Sequence, residues 1–488
     1  MRNAFSVLVF SVFMVKAIFA LSGPVTAPAS TVISDTLPVL ADWPLDGRLR
    51  SRSAREIASS DWSIGGETLD RDYADYHSYK PYLGPLGAKR IRLQGGWAKC
   101  EKVKGRYDFS WLDSIIPDAF ARGVRPWVEL SYGNPIYEGG GEAKLAGRIP
   151  TSPEGLRAWD NWVKAIVSRY KNQVAEWEIW NEPDLNAKNQ GDEFADFYIR
   201  TARMIRSVQP EARLWALGMA GVPALRFLGP FMERLREKNA LDLIDVLTYH
   251  GYAPNPDDSY PKIEQMRKFV WKYNPRIKFM QGENGAPSTP AKGTVGALTQ
   301  FDWTELSQAK WDLRRMLGDH GRGIATNVFT ISDVRYGPGD HLLGLNTKGL
   351  LKTNPDKTID RPKLSYYAVQ HVMSLFDDRL ELVPGAGITA EGPDISVFHY
   401  RRRSSHASLI TLWNHAARPS EAFIPVAVSV TVTGKFTRPV LVDLISGKVY
   451  RIPADHWKRS GRQYRFTGIP VPDYPVVIAD KSALYLKK

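Results

Sequence analysis

The run VAEWEIWNEPDL, Val174 to Leu185, ends a buried-looking aromatic stretch in one carboxylate, Glu182, held between an amide, Asn181, and a proline, Pro183. Proline has no amide proton for a sheet ladder and restricts the residue before it. A strand entering this run therefore stops at Glu182, with that side chain at the strand's C-terminal end. Just upstream, Thr151 and Ser152 can cap a helix with Pro153 in its first turn. Leu156, Trp159, Val163, Ile166, Val167 and Tyr170 then mark one face at helical spacing. A helix that leads directly into a strand is one turn of an alternating β/α chain.

Working outward, short apolar runs alternate with amphipathic stretches from Trp62 to Asp333. Eight strands are expected, at Trp62–Gly65, Arg90–Leu93, Arg125–Leu130, Ala175–Trp180, Leu214–Leu217, Val246–Thr248, Ile277–Gln281 and Thr326–Ile331. Eight is the number that closes a (β/α)8 TIM barrel, so the fold class is α/β. A helix with a glycine stop is expected from Thr304 to Gly318, and a last helical stretch from Ser365 to Leu375. Beyond Arg361 the pattern turns to alternating segments between Gly, Pro, Asp and Asn turns, which read as a β-sandwich. The expected divisions are a signal peptide over 1–29, the barrel over 30–360 and the β-sandwich over 361–488. Ser30–Leu49 is expected to add a strand to the β-domain.

In such a barrel the chemistry gathers where the strands end and the βα loops begin. The seventh strand, in IKFMQGENGAP, ends at Gly282-Glu283-Asn284-Gly285, so Glu283 and Glu182 are expected to face one cavity. Two carboxylates across a cavity suit glycosidic bond cleavage, in which one protonates the departing oxygen and the other attacks or supports the anomeric carbon.

With WEIWNEP and MQGENGAP at these strand ends, the chain resembles glycoside hydrolase clan A, the retaining (β/α)8 glycosidases, and within it is most similar to glycoside hydrolase family 39. That resemblance implies Glu182 as acid/base, Glu283 as nucleophile and Asn181 as the partner of the sugar 2-hydroxyl. It implies Arg92, in KRIRLQGGW, beside the nucleophile. His250 and Tyr252, in TYHGY, would line the site, with Tyr252 hydrogen-bonded to Glu283. Trp97, Tyr132 and Asn134 are further candidates for sugar contact, as is Tyr336, although loop packing explains each of them too. Two features depart from the clan's pattern. Strand eight ends Phe329-Thr330-Ile331-Ser332-Asp333 without the tryptophan many members carry, and strand three ends Ser131-Tyr132-Gly133-Asn134 without a histidine.

Composition narrows the partners. The 488 residues are 43% hydrophobic and 24% charged, as in ordinary globular chains, with a net charge of +13. No nucleic-acid motif accompanies that charge, which leans toward an acidic glycan as the carbohydrate partner. The Arg401-Arg402-Arg403 run suits a solvated strand end about as well as a ligand patch. Arg2, the apolar stretch Ala4–Val15 and the small residues around Ala27-Pro28-Ala29 fit a secretory signal, so the protein is expected to be secreted or periplasmic, without a membrane span after cleavage. With a single cysteine, Cys100, no intrachain disulfide forms. No H-x-x-H or clustered Asp spacing, phosphate-cradling loop or dinucleotide fingerprint stands near either glutamate, so no metal and no cofactor is expected. Two other readings stay open at this level: a non-catalytic carbohydrate-binding or envelope protein on a barrel scaffold, and a transglycosylase that shares the covalent intermediate.

Overall fold

A computed structural model describes residues 37–337, 342–385, 387–392 and 394–487. The expected signal over 1–29 lies outside these residues. Among them, eight parallel strands close into a barrel: Trp62–Gly65, Arg90–Gln94, Arg125–Leu130, Glu176–Ile179, Arg213–Met219, Val246–Tyr249, Lys278–Asn284 and Ala325–Val328. Each overlaps its expected position. The ring shuts where Trp62, Ser63 and Ile64 pair in parallel with Thr326, Asn327 and Val328.

Strand alternation sets which side chains fill the barrel. In the fourth strand, Trp177 faces the helix ring, where its indole N–H donates to Gln209 Oε1 at 2.8 Å, while Glu176 and Glu178 point inward. The interior therefore carries two charged tiers. Arg90 and Arg213 flank Glu176 at 2.8 and 3.1 Å at the N-terminal end, and Arg92 meets Glu178 at 2.8 Å further up. Trp127 and Trp215, with ring centroids 4.3 Å apart, are also fully buried among these strands.

The helix ahead of the fourth strand spans Pro153–Tyr170, and the Ser152 hydroxyl caps it by accepting from the Gly155 N–H at 2.9 Å. Its buried face, including Trp159, Trp162, Val163 and Ile166, packs on the barrel. The helix before the eighth strand opens with a reciprocal cap between Thr304 and Ser307. It does not stop at Gly318 but runs from Glu305 to His320. Gly318 serves packing instead: a Cβ there would lie 2.0 Å from the Tyr260 hydroxyl, so the residue lets another helix approach. The following helix, Leu364–Leu375, packs on that helix and on Tyr76–Leu86, and so continues the ring around the barrel.

Between the eighth strand and the Leu364–Leu375 helix lie two two-stranded ribbons, and among the described residues the β-domain forms two larger antiparallel sheets. The larger has seven strands, and its edge is Leu45–Arg48, paired with Lys448–Arg451, so the segment before the barrel does join the β-domain. The smaller has four, ordered Ile388–Glu391, Val426–Thr433, Gln463–Val471 and Trp457–Ser460. Buried charge ties this domain to the barrel. Arg314 Nη2 meets Asp257 at 2.7 Å, the same Asp257 accepts from the Trp413 indole at 3.1 Å, and Asp377 sits between Arg52 and Arg402 at 2.6 and 2.9 Å. Among the described residues no helix is long and apolar enough to cross a membrane.

Filling the notch at Gly318 should be costly, because backbone or ring has to move. Gly318→Ala is expected to lower unfolding stability by about 1–3 kcal/mol in denaturant titrations, and Tyr260→Phe in the same chain to recover part of the loss by removing the nearest atom. A Gly318→Ala chain as stable as the parent would contradict this packing.

Candidate active site

The site is built at the C-terminal ends of the strands. The fourth strand stops after Ile179, and Glu182 adopts φ +49°, a left-handed conformation rarely taken by residues with a side chain. Its own N–H, donated to the Gly218 carbonyl at 2.9 Å, and Pro183 opening a short 3-10 turn hold it there. Strained backbone of this kind gathers where a side chain must be aimed. Glu283 is aimed by another device. The seventh strand pairs regularly with the eighth up to Gln281 and again at Asn284, and the irregularity between them contains Gly282 and Glu283. Asn284 pins the strand beyond it, donating to Gln281 Oε1 at 2.9 Å and to the Asn327 carbonyl at 2.7 Å.

These two devices bring carboxylate oxygens of Glu182 and Glu283, and a ring nitrogen of His250, within 4.8 Å of one another. His250 lies between them, Nδ1 2.7 Å from Glu182 Oε1 and 3.7 Å from Glu283 Oε2. Tyr252 donates its hydroxyl to Glu283 Oε1 at 2.7 Å, and Arg92 Nη1 donates to Glu283 Oε2 at 3.3 Å. Arg92 Nη2 also donates to Asn181 Oδ1 at 2.9 Å, while the Asn181 amide donates to the Tyr132 hydroxyl at 2.9 Å. Arg92, Asn181, Glu182, His250, Tyr252 and Glu283 thus come together, with Tyr132 bracing Asn181 from behind.

Trp97 and Asn134, expected among the sugar contacts, stand elsewhere. Trp97 has no exposed surface: its indole N–H donates to Glu101 Oε2 at 2.6 Å, and its ring packs among Tyr137, Trp159 and Trp162. Asn134 is fully buried, its amide donating to the Glu101 carbonyl at 2.8 Å and its oxygen accepting from the Ile136 N–H. Trp97 opens the short helix after the second strand and Asn134 stands in the loop after the third, and a ring with no free face cannot be a sugar platform.

Sequence reasoning missed the carboxylates around Arg92. Besides Glu178, its guanidinium meets Glu129 at 2.5 Å and Glu67 at 3.1 Å. Glu67 follows the first strand directly, so the rule that found Glu283 applies to it as well. Glu129 and Glu178 sit inside strands, where only the inward side of the alternation identifies them. Lys348 had no local signal at all. It is fully buried, its Nζ lies 5.5 Å from the Tyr252 ring centroid, and that Nζ has no hydrogen-bond partner among the described residues.

The surroundings drive the two glutamates in opposite directions. Burial raises the Glu182 pKa above the ordinary carboxylate range, and the pull of His250 does not cancel it. Burial also works against the charge of Glu283, but His250, Arg92, the Tyr252 hydroxyl and Lys348 outweigh it and hold the group below its ordinary value. His250 loses from burial and gains more from the two glutamates, reaching about 9, so it is cationic at neutral pH. Burial pushes Glu129 up to about 8 and Glu67 up to about 7 against the attraction of Arg92. Lys348 is pushed down to about 7 by burial, which the charge of Glu283 only partly offsets.

The spacing of Glu182, His250 and Glu283 would also suit metal ligands. The charges around them do not. A guanidinium lies 3.3 Å from Glu283 and the imidazole is itself cationic, so a bound cation would face two positive groups.

This architecture is a (β/α)8 barrel with a paired-glutamate mouth, followed by antiparallel β-sheets. Residues 95–272 match the model of Glycosyl hydrolases family 39, a span that holds Glu182 and His250 and ends before Glu283. The chain is 27% identical to a β-xylosidase of Geobacillus stearothermophilus over 38% of its length and 40% of the relative's. It is 30% identical to a β-xylosidase of Caldicellulosiruptor saccharolyticus over 34% of its length and 37% of the relative's, so it spans well under half of these curated relatives. In three dimensions it is similar to a family 39 glycoside hydrolase from Bacteroides cellulosilyticus WH2, with a TM-score of 0.62 and 18% identity over 86% of this chain and 81% of that one. The resemblance to family 39 within clan A is thereby borne out, and so is the fold.

A cation shared by two carboxylates lowers the pKa of both. Replacing the imidazole with a neutral amide, His250→Asn, is therefore expected to raise the pKa of Glu182 and of Glu283 together. Carboxyl carbon-13 NMR titration of the labelled protein measures this directly, and a fall in either value would mean that His250 is not cationic there.

Proposed function

We propose that the protein is an exported retaining glycoside hydrolase that cleaves O-glycosidic bonds in a poly- or oligosaccharide. The observation that carries this reading is one barrel mouth where two glutamates bring carboxylate oxygens within 4.8 Å, with pKa values displaced in opposite directions. A short separation suits direct attack on the sugar, whereas an inverting pair, about 6.5–9.5 Å apart, leaves room for a water.

In this mechanism Glu182, kept protonated by burial, gives its proton to the departing glycosidic oxygen as Glu283, kept ionised by Arg92 and Tyr252, attacks the anomeric carbon. A covalent glycosyl-enzyme results. Glu182, now a carboxylate, takes a proton from water as the water displaces Glu283, which restores both groups. Asn181, held by Arg92 on one side and Tyr132 on the other, takes the sugar 2-hydroxyl in this mechanism, a contact that strengthens in the transition state. No tryptophan stands at the end of the eighth strand, where many clan members carry one. Export rests on the N-terminal sequence. The two β-xylosidase relatives make aryl β-xylosides the first substrates to try.

Active enzyme requires ionised Glu283 and protonated Glu182. The acid limb of kcat/KM against pH should therefore lie below the ordinary carboxylate range and the alkaline limb above it. Glu283→Ala is expected to abolish turnover. Glu182→Gln should cost about 10²–10⁴-fold on substrates with poor leaving groups, lose the alkaline limb, and cost far less on activated aryl glycosides. Proton NMR of the first product should show the anomer of the substrate. Inversion, or full activity of both variants on the true substrate, would sink the mechanism; glycan binding without hydrolysis across a broad panel would favour a non-catalytic barrel.

A further inference from the structure

The β-domain contains a cleft of about 790 Å³ that includes none of the residues of the barrel mouth. It opens between the two sheets on the flank where Trp457–Ser460 forms the edge of the smaller one. Its volume falls within the range of about 300–1,000 Å³ usual for ligand sites. Two sheets that pack face to face ordinarily bury apolar side chains between them. Here the walls carry Arg401, Lys435, Arg459 and Arg462, and among the described residues no carboxylate lines the cleft.

The partners of these cations leave the cleft positive. Arg401 and Arg403 share one carboxylate, Glu381, which is not part of the lining. Lys435 Nζ donates to the Ser405 carbonyl at 3.0 Å, and Arg459 Nε to the Gly461 carbonyl at 2.8 Å, bonds that leave both charges uncompensated. Like charges gathered around a cavity repel one another and favour an anion between them.

Two further features point to a ligand of a particular shape. Trp457 lines the cleft with its indole near-parallel to the Tyr464 ring, centroids 6.2 Å apart at 26°, and so offers a flat apolar face next to the charges. His399, 4% exposed, also lines it; one ring nitrogen meets the Ser408 hydroxyl at 3.2 Å, while its Nδ1 has no partner among the described residues. Flat faces, uncompensated cations and a spare buried polar atom together suit a chain of sugar rings bearing acidic groups.

We propose that this cleft binds an acidic polysaccharide, through carboxylate or sulfate groups on its sugars, and so holds polymer on the β-domain separately from the paired-glutamate mouth. The choice of a glycan over other polyanions rests on the proposed function. The choice of an anion rests on the cleft itself.

The test uses the full chain in affinity electrophoresis and titration calorimetry with polygalacturonate, heparin, neutral arabinoxylan and single-stranded DNA. Polygalacturonate or heparin should bind at low salt and be released as salt screens the charges, with arabinoxylan much weaker. The double variant Arg459→Ser, Arg462→Ser should weaken that binding at least about tenfold, and Trp457→Ala at least about threefold. Both should leave any turnover of small aryl glycosides unchanged, and the double variant should also leave the melting temperature unchanged. Failure of both acidic glycans to bind the parent protein would overturn the proposal, as would a double variant that binds within about twofold of it. DNA binding as tight as the glycans, insensitive to Trp457→Ala, would mark a basic surface rather than a glycan site and would also overturn it. Binding is read without turnover, so loss of the hydrolase reading and loss of this one are distinguishable outcomes.

Discussion

One guanidinium organises the centre of this molecule. Arg92 is fully buried near the top of the barrel and meets Glu67, Glu129, Glu178 and Glu283, which come from four different strands or their ends, while holding Asn181 as well. Burial works against its charge, and the surrounding carboxylates outweigh that effect. Breaking a buried pair by removing one partner costs about 3–5 kcal/mol, because an uncompensated charge is left behind. With several partners on one cation, the geometry of the strand ends is tied to the charge state of the site. Burial keeps Glu129 and Glu67 up at about 8 and 7, so the cluster need not hold four full negative charges around one positive charge at neutral pH.

From that anchor the asymmetry of the two glutamates follows. Glu283 touches the guanidinium and a tyrosine hydroxyl, whereas the Glu182 side chain is held by the imidazole, in a nearly closed setting. The same low-dielectric surroundings strengthen the attraction on one side and penalise ionisation on the other. His250 couples the two, since whatever charge it carries is felt by both. The backbone supplies aim: a left-handed residue before Pro183 and an irregular pairing at Gly282-Glu283 point both carboxylates at one space.

The β-domain is fastened to the barrel through buried carboxylates: Asp257, paired with Arg314 inside the barrel unit, accepts from the Trp413 indole, and Asp377 joins Arg52 to Arg402. The middle member of the Arg401-Arg402-Arg403 run is thus structural, and Arg403 turns to Glu381, while Arg401 also borders the cationic cleft. Neither of the two readings the sequence left open for this run accounts for all three arginines.

The sequence by itself determined the eight-strand order, the helix between Ser152 and Tyr170, and the two strand ends that carry Glu182 and Glu283. Those features are local: periodicity, caps and a proline act over a few residues, and barrel closure then follows from their number. Arg92, Asn181, His250 and Tyr252 were legible through the resemblance of KRIRLQGGW, WEIWNEP and TYHGY to clan A rather than through strand order, and Arg92 itself lies inside its strand. Tertiary structure alone decided the rest. Trp97 and Asn134 lie on the connections after the second and third strands but turn inward, because Glu101 offers their polar atoms buried partners that no local pattern announces. Gly318 reads as a helix stop until Tyr260 arrives from elsewhere in the chain. Glu129, Glu178 and Lys348 gain their roles only through burial and through neighbours distant in sequence. A carboxylate's strand position can be read from order, but its charge depends on which other side chains the closed barrel packs around it.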